Sequence, residues 1–230
     1  METIYENNSP HDFYPDAGRA YSIGWNVIKT YFVELLVVGI VYMVLSGPIS
    51  VLNWQADHFN WFLVPLGLFA MAYGVLVAGP IGYGANLVFL KAVRGERVEI
   101  SDLFIPFRSN YWNAVVANLV VGVIVGLGIV MLIVPGIIFA CRLAFVPFLV
   151  VDKNMDAMDA LRTSWEMTRG HGWQIFALGF LAIFVVIGGL LMLIVGVFVS
   201  VMWISAAFAA LYQAVVLRDG IPEIQYNQSN

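Results

Sequence analysis

Charge is what this sequence has least of. Lys, Arg, Asp and Glu together make up 11% of its 230 residues, against about 25% in soluble domains. A soluble domain of this length would need far more polar surface to cover itself, and 61% of the chain is hydrophobic. A bilayer supplies an apolar solvent and removes that need. Basic side chains are fewer than acidic ones, 11 against 15, for a net charge of −4. Nucleic-acid binding needs clustered Lys and Arg, so no nucleic-acid partner is expected. Cysteine is nearly absent: Cys141 alone, inside an apolar run, cannot form an intrachain disulfide and reads as a small buried residue. The three histidines, His11, His58 and His171, lie far apart. No His-Glu-x-x-His, Cys-x-x-Cys or Gly-x-Ser-x-Gly occurs. Asp152, Asp156 and Asp159 are clustered, but their spacing fits no calcium loop, and capping and ion pairing account for them. The expectation is a chain with no catalytic residue, no metal and no cofactor: not an enzyme.

Long apolar runs are what it does have. A span needs roughly 20 mainly apolar residues. The first falls at about Tyr31 to Leu52 and the second at about Trp61 to Val88. The third and fourth share Trp112 to Val151, broken near Gly126, Gly128 and Pro135-Gly136. The fifth and sixth share Trp173 to Leu217, broken near Gly188-Gly189 and Gly196. The fold class that follows is an all-α integral membrane protein of six transmembrane helices arranged as three hairpins. The third and fourth spans have barely enough residues each, and a re-entrant pair is the alternative there. Residues 1–20 form a polar N-terminal tail, 21–218 the six-helix membrane domain and 219–230 a polar C-terminal tail. The first 20 residues hold no apolar core and no Ala-x-Ala site, so the first span is expected to serve as the targeting signal.

The basic residues sit outside the hairpin tips. Arg19, Lys29, Lys91, Arg94, Arg97, Arg108, Lys153, Arg162, Arg169 and Arg218 all lie in tails or connectors, whereas the first tip, residues 53–60, holds only Asp57 and His58 as titratable groups. Short loops rich in Lys and Arg stay in the cytoplasm, so both termini and both long connectors are expected there, in the plasma membrane.

The hairpins also look repeated. Each begins with a Trp followed by a side-chain amide: Trp25-Asn26, Trp112-Asn113 and Trp173-Gln174. Amphipathic segments accompany them. Tyr21, Trp25, Ile28 and Phe32 form one stripe; Met158, Leu161 and Trp165 form another, its weakly polar side widened by Ala157, Ala160, Ser164, Met167 and Thr168, with Asp159, Arg162, Glu166 and Arg169 opposite. Asp156 is placed to cap the latter helix and Gly170 to end it. A shorter middle segment runs from Ser101 as cap through Leu103, Phe104 and Phe107, interrupted by Pro106. Such helices suit the cytoplasmic interface, with Trp25, Trp112, Trp165 and Trp173 as anchors at headgroup depth. Covering of helix ends within the protein is the alternative. Polar turns close the units at Arg94-Gly95-Glu96, Asp152-Lys153-Asn154 and Arg218-Asp219-Gly220.

Two ionisable residues fall inside spans, Glu34 and Arg142. Charge at membrane depth is costly and implies an internal partner or a function. Glu34 follows Trp25 by nine residues, about 13 Å of helix, and Arg142 precedes Asp152 by ten, about 15 Å. The two can share one level, and a buried Glu34–Arg142 pair is the expectation. Asn86, Asn118 or backbone carbonyls are the other partners, and a polar transport site the other meaning. Gly122 with Gly126, and Ala78 with Gly82, suggest close helix packing. Gly79-Pro80 should loosen the second span, with neighbours or water satisfying the freed carbonyls.

Pro135-Gly136, Arg142, Pro147, Asp152, Ala160-Leu161, Ser164-Trp165, Arg169-Gly170, Trp173 and Phe176 together resemble a family of prokaryotic six-span proteins. The family includes the membrane-anchor domain fused to some bacterial glycerophosphodiester phosphodiesterases, and many stand-alone members of unknown function. The resemblance implies this fold and a bacterial inner-membrane location. It implies no activity, because the fused members' catalysis belongs to a separate soluble barrel. Two functions remain open: a non-catalytic anchor, scaffold or accessory subunit surrounded by membrane lipids and other membrane subunits, or a carrier or channel for a lipid or small solute built around Glu34 and Arg142.

Overall fold

The structure is a computed structural model that describes residues 16–53, 64–191 and 193–219. Eleven α-helices order the described residues, with no strand among them: α1 Ala17–Thr30, α2 Phe32–Asn53, α3 Val64–Tyr73, α4 Gly79–Val93, α5 Ile105–Ser109, α6 Tyr111–Met131, α7 Ile133–Arg142, α8 Val146–Asp152, α9 Ala157–Met167, α10 Gly172–Leu191 and α11 Leu193–Asp219. A π-helical turn, Gly74–Ala78, joins α3 to α4, and a 3-10 helix, Ile100–Phe104, leads into α5. Five helical stretches are long and apolar enough to cross a bilayer, and six when α1 and α2 are counted as one bent pair. The chain is an all-α, multi-pass membrane protein. Residues 1–15 and 220–230 of the terminal tails, and residues 54–63 with Asp57 and His58 of the first hairpin tip, lie outside the described residues.

The polypeptide leaves helical geometry at Tyr31 (φ −113°, ψ 30°), and the axes of α1 and α2 differ by 96°. Asp16 caps α1 by accepting from the Arg19 N–H at 3.3 Å. The α1 stripe differs from the expectation. Tyr21 and Ile28 are buried, but so are Gly24 and Val27, while Trp25 and Phe32 are largely exposed. The cause is Gly24. A Cβ there would come within 3.0 Å of the Ala207 nitrogen, so its absence lets the α1 backbone settle on α11 and turns that face inward.

The second span loosens just before Pro80. Proline offers no N–H to the carbonyl four residues back, which is Leu76, and the helix widens to a π turn at that point. The Tyr111 hydroxyl donates to the Leu76 carbonyl at 3.0 Å, so the next hairpin satisfies the freed group. α4 ends in a Schellman turn: Glu96 N–H donates to the Lys91 carbonyl, Gly95 N–H to that of Ala92, and Gly95 takes φ 73°. In the middle segment the cap is Glu99, in a reciprocal pair with Asp102, and not Ser101.

Between α6 and α7 a single extended residue, Leu132, reverses the chain. α6 (21 residues) and the Ile133–Asp152 stretch (20 residues) are each long and apolar enough to cross. Their close approach is made by Gly128 and Gly136, where a Cβ would meet the other helix at 2.9 Å or less. The expected Gly122–Gly126 face is not a contact: a Cβ at either meets nothing within 4 Å. Those glycines point away because the hairpin brings α7 against the end of α6 nearest the turn.

The core sits at the connector end. There α4 packs against α2, α6, α8 and α11, and Val88, Leu90, Val93, Phe145, Leu149 and Leu211 are fully buried. α11 is the spine: 67% of its apolar window is buried, against 17% for α10.

Candidate functional site

The polar turns that close the hairpins converge. Arg94, just past the end of α4, sends Nη1 and Nη2 to the two carboxylate oxygens of Asp152, at the end of α8, at 2.6 and 2.9 Å. Its Nε donates to Gln213 Oε1 of α11 at 2.9 Å, and the Tyr212 hydroxyl donates to Asp152 Oδ2 at 3.0 Å. Lys153 Nζ stands 3.8 Å from the same oxygen. Arg94 and Asp152 are largely shielded and Lys153 is buried. Phe145 and Phe148 pack on the Tyr212 ring at 5.6 and 4.9 Å between centroids. A two-pronged guanidinium–carboxylate contact in such surroundings is short, directional and strong. Beside it, Lys91 pairs with Asp102 at 2.7 Å, and Arg218 Nη1 donates to His171 Nε2 at 2.6 Å. Both Asp152 oxygens are engaged, and the cluster joins three helices.

Arg142 ends α7, and its main-chain carbonyl accepts from Ser164 Oγ at 2.8 Å and Thr168 Oγ1 at 3.4 Å. Its guanidinium lies 5.4 Å from the centre of the Trp165 ring, a cation–π distance. Nη1 is buried without a hydrogen-bond partner, as is Oε1 of Gln174. The structure does not bring Glu34 and Arg142 together. Glu34 lies exposed in the first turn of α2, and the ion pairs among the described residues do not join it to Arg142. The depth argument for Glu34 counted along one helix from Trp25. The 96° bend at Tyr31 breaks that count and leaves Glu34 near the start of its span.

α9 is the amphipathic helix expected between the second and third hairpins, with Asp159, Arg162, Glu166 and Arg169 exposed. Its buried face is Ala157, Ala160, Leu161, Ser164 and Met167, and Met158 is exposed. The small residues face inward because they let α9 approach closely enough for Ser164 to reach the Arg142 carbonyl. Gly170 ends the segment at φ 86°. Asp156 makes no capping bond with its own helix. Asn113 of α6 takes that place: its Oδ1 accepts from the Ala157 N–H at 3.4 Å and its Nδ2 donates to Asp156 Oδ1 at 2.9 Å.

Of the four anchor tryptophans, Trp112 and Trp173 are 71% and 74% exposed at the starts of α6 and α10, and Trp25 41%. Trp165 is half-buried under Arg142. The sequence reading missed Gln213, Tyr212 and the Lys91–Asp102 pair. Gln213 had a signal, being the lone side-chain amide in the apolar run of α11. No group of three metal-ligating side chains occurs among the described residues.

Residues 115–219, from α6 through α11, match the family model described as the membrane domain of glycerophosphoryl diester phosphodiesterase. The resemblance read from residues 135 to 176 falls inside that stretch, and the match is to the membrane part of such an enzyme, not to its catalytic part. Comparison with curated proteins and with solved structures yields no match.

Proposed function

We propose that this chain is a non-catalytic membrane anchor that serves as scaffold or accessory subunit of a membrane complex, in the bacterial inner membrane, with both termini and the basic connectors in the cytoplasm. The observation that carries the reading is the closed Arg94–Asp152–Tyr212–Gln213 cluster. Among the described residues this concentration of buried charge fastens helices to one another, as suits a rigid platform. The similarity to the membrane part of a two-part enzyme supports the same reading. Orientation rests on the basic connectors.

Two experiments test it. Single cysteines placed at Asp57 and Arg97 and treated with an impermeant thiol reagent on intact cells should label at Asp57 and stay unlabelled at Arg97; the reverse pattern overturns the orientation. Purification of the tagged chain in mild detergent should retain a second protein at fixed stoichiometry. The purified chain in vesicles should move neither dye-labelled phospholipid nor small solute faster than empty vesicles do. Transport above that background, with no stoichiometric partner, replaces the anchor with the carrier.

A further inference from the structure

α1 carries a polar stripe. Arg19, Ser22, Asn26 and Lys29 follow one another at spacings of three and four residues, so they share one face, and all four are exposed. The stripe holds two cations, and the helix has no Asp or Glu. The ion pairs among the described residues do not include Lys29. The opposite side, with Gly24, Val27 and Ile28, is buried, and a Cβ on Gly24 would come within 3.0 Å of the Ala207 nitrogen of α11. The Trp203 indole N–H donates to the Tyr21 carbonyl at 2.8 Å, and the Tyr21 hydroxyl donates to the Leu178 carbonyl of α10 at 3.0 Å. α1 is thus strapped across two spanning helices.

Two counts put this contact at mid-span. Ala207 stands eleven residues from either end of the apolar stretch Gly196–Arg218, about 16 Å of helix each way, against roughly 15 Å of hydrocarbon in one leaflet. On α10, Trp25 lines one cleft with Leu181, the middle residue of Gly172–Leu190. Arg19 and Lys29 are each five residues from Gly24, about 7.5 Å along the axis. Whatever the tilt of α1, its polar face lies at hydrocarbon depth.

Polar side chains at that depth face protein or water. Lipid tails accept no hydrogen bond, and lipid phosphates lie beyond the reach of Ser22 and Asn26. The exposed face of a helix is convex and encloses no water by itself. A second copy, related by an axis normal to the membrane, would set the same two cations against each other at one depth. What complements the stripe is a carboxylate at the same level. We propose that the stripe docks a spanning helix of another membrane protein, which presents an Asp or Glu near its own mid-span to Lys29 and hydrogen-bonding groups to Ser22 and Asn26. This docking face presupposes the accessory-subunit role proposed above and gives its partner a chemistry.

The test uses the full chain in the membranes of cells that make it. Photoreactive benzoylphenylalanine replaces Ser22 or, as a control on the exposed side of α10, Phe180, and cross-linked peptides are sequenced. Position 22 should cross-link to one protein, in a spanning segment with an Asp or Glu within about a turn of its middle; position 180 should not. In mild detergent, Lys29→Glu should lower retention of that protein at least about tenfold, as when a poorly hydrated charge pair loses a partner. Lys29→Arg should retain it, and changing the partner's acid to Lys should restore binding to Lys29→Glu. Lys29 is exposed in the lone chain, so thermal unfolding of the purified variants should match that of the parent. A partner segment without an acid, or retention indifferent to Lys29→Glu, overturns the docking face and leaves the accessory role standing. So do cross-links confined to lipid or to the chain itself while a stoichiometric partner still co-purifies. The same cross-links with no such partner overturn both. Rapid reaction of Ser22→Cys with a water-soluble maleimide in intact membranes would mean that water covers the stripe, and it also overturns the docking face.

Discussion

The two ends of the bundle are built on opposite rules. At the connector end, charges and large apolar side chains are interleaved: Arg94 and Asp152 lie among Val93, Phe145, Leu149 and Leu211, all nearly inaccessible. At the tip between α6 and α7 there is no charge, and the large side chains from Val130 to Val134 are all exposed. In water the arrangement would be inverted. In a bilayer the tip needs no cover, because lipid tails are as apolar as Leu, and stability must come from where helices meet polar partners and close-packed atoms. The connector end is therefore the folded core, and the α6–α7 tip is left to the lipid.

The contrast can be broken most severely at Asp152. Asp152→Ala leaves Arg94 buried without its carboxylate and should cost about 3–5 kcal/mol of stability in detergent. Met131→Ala at the tip should stay within about 0.5 kcal/mol. Arg94→Met with Asp152→Leu should be far milder than the sum of the single changes, since no isolated charge remains. Thermal unfolding of these variants, with Arg94→Met and Asp152→Leu measured singly, decides it, and equal losses at the two ends would remove the distinction. Glycines sharpen the comparison at a smaller scale. A Cβ on Gly84 would run into the backbone of Leu103, whereas one on Gly126 meets nothing. Gly84→Ala should lose about 1–3 kcal/mol by overpacking, and Gly126→Ala should be neutral or stabilising. A more local loss is expected at Asn113, whose replacement by Ala removes the borrowed cap of α9, worth about 1 kcal/mol. Faster amide exchange confined to the first turn of α9 would register it.

Spans were legible because length and apolarity are local properties: the runs beginning at Tyr31, Trp112 and Trp173 all became helices within a residue or two of where they were read. The exposed side of α9 was legible for the same reason. Depth was not. Counting 1.5 Å per residue from Trp25 to Glu34 assumed one axis, and nothing in Thr30-Tyr31-Phe32 announces a 96° turn. Arg142 stood out as costly, but the side chain over which it lies, Trp165, comes from a helix that also had to be docked through Ser164. The clamp was the least visible feature. Arg94 and Asp152 read as ordinary turn residues, and their meeting depends on how α4 and α8 pack, which no local pattern encodes.

That clamp draws on every hairpin unit: Arg94 closes the first, Asp152 the second, and Tyr212 and Gln213 come near the end of the third. Their order along the chain is also their order of synthesis. When the first hairpin has left the ribosome, Arg94 has no acid to meet. The second hairpin brings Asp152, and only with α11 do Tyr212 and Gln213 close the knot and wall it off from water. A nascent chain cut short before the last span would thus expose a bare ion pair at the membrane surface, which distinguishes an unfinished molecule from a finished one.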